Sequence, residues 1–124
     1  MKKILQQHHI SFKNAFSGLG WAVTTQPNFR VHIALSFAAL FLCWFLNVSP
    51  IEWVVIVFTI VLGLSAELIN TSLEAMTDLI TKEWRADAKI AKDVAAGMML
   101  TVAIGALIVA AFIFGPKLTQ RFGL

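Results

Sequence analysis

The chain has 124 residues, of which 58% are apolar and only 14% charged, and its 10 Lys and Arg against 7 Asp and Glu leave a net charge of +3. A soluble domain of this size averages roughly 25% charged residues, so the composition excludes an ordinary water-soluble fold and disorder alike. The charge excess is too small to argue for nucleic acid, and a single Cys excludes an intramolecular disulfide.

At the N-terminus, residues 10–23 place Phe12, Phe16, Leu19 and Val23 at helical spacing, with Lys13, Asn14, Ser17 and Gly20 elsewhere. That pattern predicts an amphipathic helix over about residues 4–25, lying on the cytoplasmic membrane surface and broken at Pro27. No Asp, Glu, Lys or Arg occurs between Arg30 and Glu52, only Glu67 is charged between Trp53 and Leu73, and nothing is charged from Val94 to Pro116. A bilayer core of ~30 Å needs about 20 apolar residues in a helix. The three gaps predict spans over about 29–48, 50–73 (continuing as helix to about 80) and 94–115. Ser49-Pro50-Ile51-Glu52 reads as a capping box with Pro at the first helical position, opening the second span. Gly115-Pro116 reads as the end of the third. The long apolar runs begin only after residue 30 and form a series of spans, so no cleaved signal peptide is expected. The whole chain, 1–124, reads as one membrane-embedded unit.

Orientation follows from the distribution of Lys and Arg. Lys2, Lys3, Lys13 and Arg30 precede the first span, and Lys82, Arg85, Lys89 and Lys92 lie between the second and third. Only Lys117 and Arg121 fall on the other side. Eight against two puts the N-terminus and the 74–93 segment in the cytoplasm.

The second span carries an acidic stripe. Offsets of 3, 7 and 11 residues from Glu67 fall within about 60° of it on a helix, so Glu67, Asn70, Glu74 and Asp78 share one face. Glu67 lies roughly 22 Å beyond Glu52 along the axis, at the cytoplasmic edge of the hydrocarbon. A carboxylate there is costly and normally faces protein or a water-filled site. A protonated Glu67 in an interhelical hydrogen bond, and a merely solvated helix end for Glu74 and Asp78, are the plainer readings. One buried and one wetter carboxylate on a face suit a general base beside a metal ligand. Lys92 and Asp93 stand where the third span enters the cytoplasm, level with Glu74, where a Lys can meet a phosphate. No G-x-x-x-x-G-K-[ST] motif, Gly-rich dinucleotide loop or Cys/His metal spacing is present. His8, His9 and His32 form no ligand set, and Cys43 reads as packing.

Ala66-Glu-Leu-Ile-Asn-Thr-Ser-Leu-Glu-Ala-Met-Thr-Asp78, followed by Ala88-Lys-Ile-Ala-Lys-Asp-Val-Ala-Ala-Gly97, closely resembles the signature of the bacterial diacylglycerol kinase / undecaprenol kinase family. Ser11–Gly18 and Asn28-Phe-Arg-Val-His32 resemble it too, so the likeness runs from about residue 11 to residue 116, and Ala88–Gly97 is nearer the undecaprenol kinase branch. The resemblance implies a homotrimeric lipid kinase of the bacterial inner membrane that uses ATP and Mg²⁺ to phosphorylate the hydroxyl of undecaprenol or diacylglycerol. It further implies Glu67 as the catalytic base at the lipid, with Asn70 shaping the same site, and Glu74 as the metal ligand. Glu83, Trp84, Arg85, Lys92 and Asp93 would contact nucleotide, as would Asn14 and Gln26. Gln26 stands where the family usually has a second acidic metal ligand. Gln7 stands in place of an Arg near ATP, Asn14 in place of an aromatic, and Arg85 in place of a frequent His. Two other functions fit parts of the pattern: a proton-coupled transporter built around Glu67, and a non-catalytic relative that binds lipid or nucleotide.

Overall fold

Four helices follow one another along the chain: α1 (Lys2–Thr25), α2 (Pro27–Phe45), α3 (Pro50–Ile80) and α4 (Ala86–Phe122). The structure, a computed structural model, describes the backbone of residues 2–123 and the side chains of residues 11–123. α2, α3 and α4 are each long and apolar enough to cross a membrane. The all-helical expectation holds.

Each break has a local cause. Proline at position 27 has no N–H to donate, so α1 stops at Thr25 and α2 restarts with Pro27 at its first position and Gln26 extended at its N-cap. α2 ends three residues earlier than the expected span. Asn47 takes a left-handed φ of 49°, the Asn47 N–H donates to the Trp44 carbonyl and the Val48 N–H to the Cys43 carbonyl. This is the double bond pattern that closes helices at a left-handed residue, and Asn adopts that conformation more readily than most. The capping box at the start of α3 forms as expected: Ser49 Oγ accepts from the Glu52 N–H, and Glu52 Oε2 accepts from the Ser49 N–H at 2.6 Å.

A second expected boundary differs more. α4 does not end at Gly115-Pro116 but runs on to Phe122, with Pro116 inside it and Gly123 (φ 68°) as its left-handed cap. Proline removes one hydrogen bond and kinks a helix, but does not forbid its continuation where other contacts hold the next turns. Here Lys117 Nζ lies 3.1 Å from Glu52 Oε2, Leu118 packs on the core, and the Arg121 guanidinium sits 4.5 Å from the centre of the Phe45 ring.

The core sits at this same end. Cys43, Leu46, Val48, Ile56, Ile113 and Phe114 form one buried cluster where the α2–α3 link meets α4. Cys43 is fully buried there, as packing. Ala22, Phe29, Ala66 and Ala95 are buried outside that cluster, as are the polar Glu67 and Asn70 of α3.

Candidate active site

Burial along the α3 stripe is graded. Glu67 is 3% exposed and Asn70 7%, whereas Glu74 and Asp78, one and two turns beyond Asn70, are solvent-exposed. The grading follows from helical periodicity, which keeps the four on one face while the axis carries them out of the apolar region. Asn70 Nδ2 donates to Glu74 Oε1 at 3.0 Å, so the two side chains are tied as an i, i+4 pair. Asn70 Oδ1 is buried without a hydrogen-bond partner among the described residues. Buried polar groups are paired in the large majority of cases, so the unpaired Asn70 oxygen leaves a place that a ligand can complete.

α4 contributes a cation. Lys92 is half-buried, and its Nζ lies 2.5 Å from Asp78 Oδ1, across the hairpin. This is one turn further out than the expected level of Glu74. Asp93 behaves differently: adjacent helical residues point about 100° apart, and Asp93 pairs with Lys89 on the exposed side of α4. Lys92 therefore meets the stripe and Asp93 turns along its own helix. The turn between α3 and α4 is short, with Thr81 Oγ1 accepting from the Glu83 N–H at 3.1 Å. Glu83, Trp84 and Arg85 are all exposed there, Trp84 to 80%.

The remaining expected residues lie at the α1–α2 side. Asn14 is exposed on α1, and half-buried Gln26 donates from Nε2 to Thr25 Oγ1 at 3.3 Å. Among the described residues the Gln26 amide oxygen accepts no hydrogen bond. Gln7, His8 and His9 lie outside the residues whose side chains are described. Among the described residues no group of three His, Cys, Asp or Glu is arranged to hold a metal by itself. Magnesium does not require one, since it binds through one or two carboxylates together with substrate phosphates. The orphaned Asn70 Oδ1 beside the Glu74 carboxylate suits such a sparse site.

A groove of about 460 Å³ runs between α2, α3 and α4. From His32 to Leu42 it follows α2 for about 15 Å. It is apolar along most of its length, with small residues (Gly63, Ala103, Ala106, Ala110) on the α3 and α4 walls and Phe114 at its far end. Gly63 and Leu64 line it, and Glu67 follows them about one turn further along the same helix, outside the lining itself. The sequence reading missed two things here. It paired Lys92 with Asp93 rather than with Asp78, and it assigned His32 nothing, although His32 lines the groove at the Glu67 end.

Comparison with known proteins gives the family. The sequence profile described as "Prokaryotic diacylglycerol kinase" matches residues 13–114. A diacylglycerol kinase of Synechocystis is 38% identical over 110 residues, covering 88% of this chain and 63% of the relative. An undecaprenol kinase of Bacillus subtilis is 39% identical over 108 residues, covering 87% and 88%. A diacylglycerol kinase of Helicobacter pylori is 35% identical over 105 residues, covering 85% and 79%. The chain thus spans a little under two thirds of the Synechocystis relative and most of the other two. Together with three apolar helices of membrane-crossing length, these matches make the protein a bacterial membrane protein that belongs to the prokaryotic diacylglycerol kinase family, a family of lipid kinases.

Proposed function

We propose that the protein transfers the γ-phosphoryl group of ATP, with Mg²⁺, to the hydroxyl of a membrane lipid alcohol, undecaprenol or diacylglycerol, at the cytoplasmic face of the inner membrane. The observation that carries this reading is the buried Glu67, one turn beyond the groove-lining Leu64 and on the same face as Asn70 and Glu74. A lipid alcohol fits both halves of that arrangement, its hydrocarbon in the groove and its hydroxyl at the carboxylate.

Phosphoryl transfer asks a protein mainly for positioning and for neutralisation of charge. Glu67 accepts the proton of the lipid hydroxyl as the oxygen forms its bond to the γ-phosphorus. The bond from that phosphorus to the β–γ bridging oxygen breaks, and ADP leaves with the electron pair. Asn70 holds Glu74 in place through its amide. Lys92 neutralises phosphate charge once it exchanges Asp78 for the nucleotide, and exposed Trp84, with Glu83 and Arg85, offers a face to the base. Asp93 and Asn14 complete the nucleotide contacts in this reading. Glu74 and Asn70, with Gln26 as a further amide oxygen, would hold Mg²⁺, which when bound draws negative charge from the phosphates. The working unit is a homotrimer, with α1 lying on the membrane surface.

The test is a radiolabelled-ATP assay on purified protein with undecaprenol and diacylglycerol offered in turn. Label in a lipid phosphate is the expected result. Proton flux in liposomes without ATP consumption would instead establish a transporter, and lipid or nucleotide binding without turnover a non-catalytic relative.

A further inference from the structure

Both residues at the start of α4 that the kinase reading gives to nucleotide are already held by other side chains. Asp93 is tied to Lys89 on its own helix, and Lys92 is tied to Asp78 on α3, with Nζ 2.5 Å from Oδ1. The second pair joins residues 14 apart in sequence and crosses from one helix to the other. Glu74 takes no part in it; its Oε1 accepts from Asn70 Nδ2 at 3.0 Å. Of the two exposed carboxylates on the stripe, the outer one therefore holds the ammonium and the inner one does not.

Asp78 lies four residues beyond Glu74, about 6 Å further along the axis and away from Glu67. A lysine held at that level stands short of phosphates gathered around Glu74, so it must leave Asp78 to reach them. Both side chains are partly open to water, Lys92 to 40% and Asp78 to 59%, and the lysine stem is long and flexible. An exposed pair of this kind is weak enough for a polyanion to displace. We propose that Asp78 is a counter-ion latch, which holds Lys92 away from the phosphate site until ATP draws it off and so sets the affinity for nucleotide. Asp78 is then a positioning residue that acts through Lys92. The inference rests on the reading of Lys92 as a phosphate contact. It adds that the free protein binds ATP less tightly than its own lysine would allow.

The test measures binding of the non-hydrolysable analogue adenylyl imidodiphosphate, with Mg²⁺, by titration calorimetry on purified protein in detergent. Asp78→Asn keeps the shape of the side chain and removes its charge. It is expected to tighten binding about two- to fivefold, the scale of an exposed ion pair. Losing a negative charge near phosphates would also help through the general field, and a second comparison separates the two causes. In a Lys92→Ala background the latch has nothing to hold, so Asp78→Asn is expected to leave binding unchanged there. Tightening of the same size in that background would assign the effect to the field and overturn the latch. Unchanged or weaker binding in Asp78→Asn alone would overturn it too. Should Asp78→Asn not assemble, Asp78→Ser replaces it with the same expectation. A wild-type protein that binds no analogue and labels no lipid would overturn the kinase reading, and this inference with it. Wild-type binding beside an unmoved variant would overturn the latch alone.

Discussion

Glu67 and Glu74 lie seven residues apart on one helical face, yet one is 3% exposed and the other open to solvent. A carboxylate that must take a proton is best kept out of water, and one that must meet a cation and phosphates is best kept near it. Glu67→Gln preserves size and polarity but cannot accept a proton at neutral pH. It is expected to lower kcat by at least about 10²-fold while the assembly stays intact by size-exclusion chromatography; retention of more than about a tenth of wild-type kcat would remove Glu67 from the role of base. Lys92→Ala is expected to raise KM for ATP about tenfold with little effect on expression, whereas unchanged ATP kinetics would leave Lys92 as an orienting charge like Lys82 and Lys89. Gln26→Glu adds a carboxylate at half-buried position 26, and should lower the Mg²⁺ concentration for half-maximal rate through direct attraction in a partly desolvated site. An unmoved Mg²⁺ titration would detach position 26 from the metal. The stripe itself was legible because helical spacing fixes which side chains share a face. The Lys92–Asp78 pair was not, since sequence does not set the rotation of α4 about its axis against α3. His32 escaped notice because a lone polar residue in an apolar run has no periodic partner to mark it.

Element boundaries divide according to where their cause lies. The break at Pro27 and the capping box at Ser49 are made by neighbouring residues alone, and both could be read directly. The run of α4 past Pro116 depends on Glu52, Phe45 and the core, which are remote in sequence and meet it only after folding. Local signals therefore favoured a stop that tertiary contacts override. The end of α2 was misjudged for a related reason: Leu46 and Val48 are apolar enough to extend a span, yet they are buried in the core beyond the left-handed turn at Asn47. The cap of α3 is open to a direct test. Ser49→Ala removes the hydroxyl that accepts from the Glu52 N–H and should destabilise the protein in detergent by ~1 kcal/mol, read as a lower thermal midpoint with unchanged KM for ATP. An unshifted midpoint would mean that Glu52, held by Lys117 and the Ser49 N–H, caps the helix without it.

On the scale of the whole molecule, the two ends of the bundle do different work. The end with the α2–α3 link holds the apolar core, the Glu52–Lys117 pair and the Arg121–Phe45 contact, and so is the fixed end. The other end holds the Asn70 oxygen that lacks a partner among the described residues, the buried Glu67 and an exposed turn, where substrates are proposed to meet. Along the spans between them, large apolar side chains such as Phe37, Phe58, Leu107 and Phe112 remain exposed, and a Cβ added at Gly97 or Gly105 would meet nothing within 4 Å. Lipid covers such faces as readily as protein does, so exposure alone drives no association; close packing over small residues is what brings membrane helices together. The site argues for association more strongly. Asn14 stands on α1, Lys92 on α4, and the stripe opens to solvent beyond Asn70, so one chain leaves the nucleotide largely unenclosed. If neighbouring copies supply the missing wall, the detergent-corrected mass of the active species is expected to be three times the 13.7 kDa of the chain. Dilution to single chains should then abolish lipid phosphorylation before the helices unfold by circular dichroism. Full activity in a species of one chain mass would show that a single copy completes the site, and the homotrimer would have to be given up.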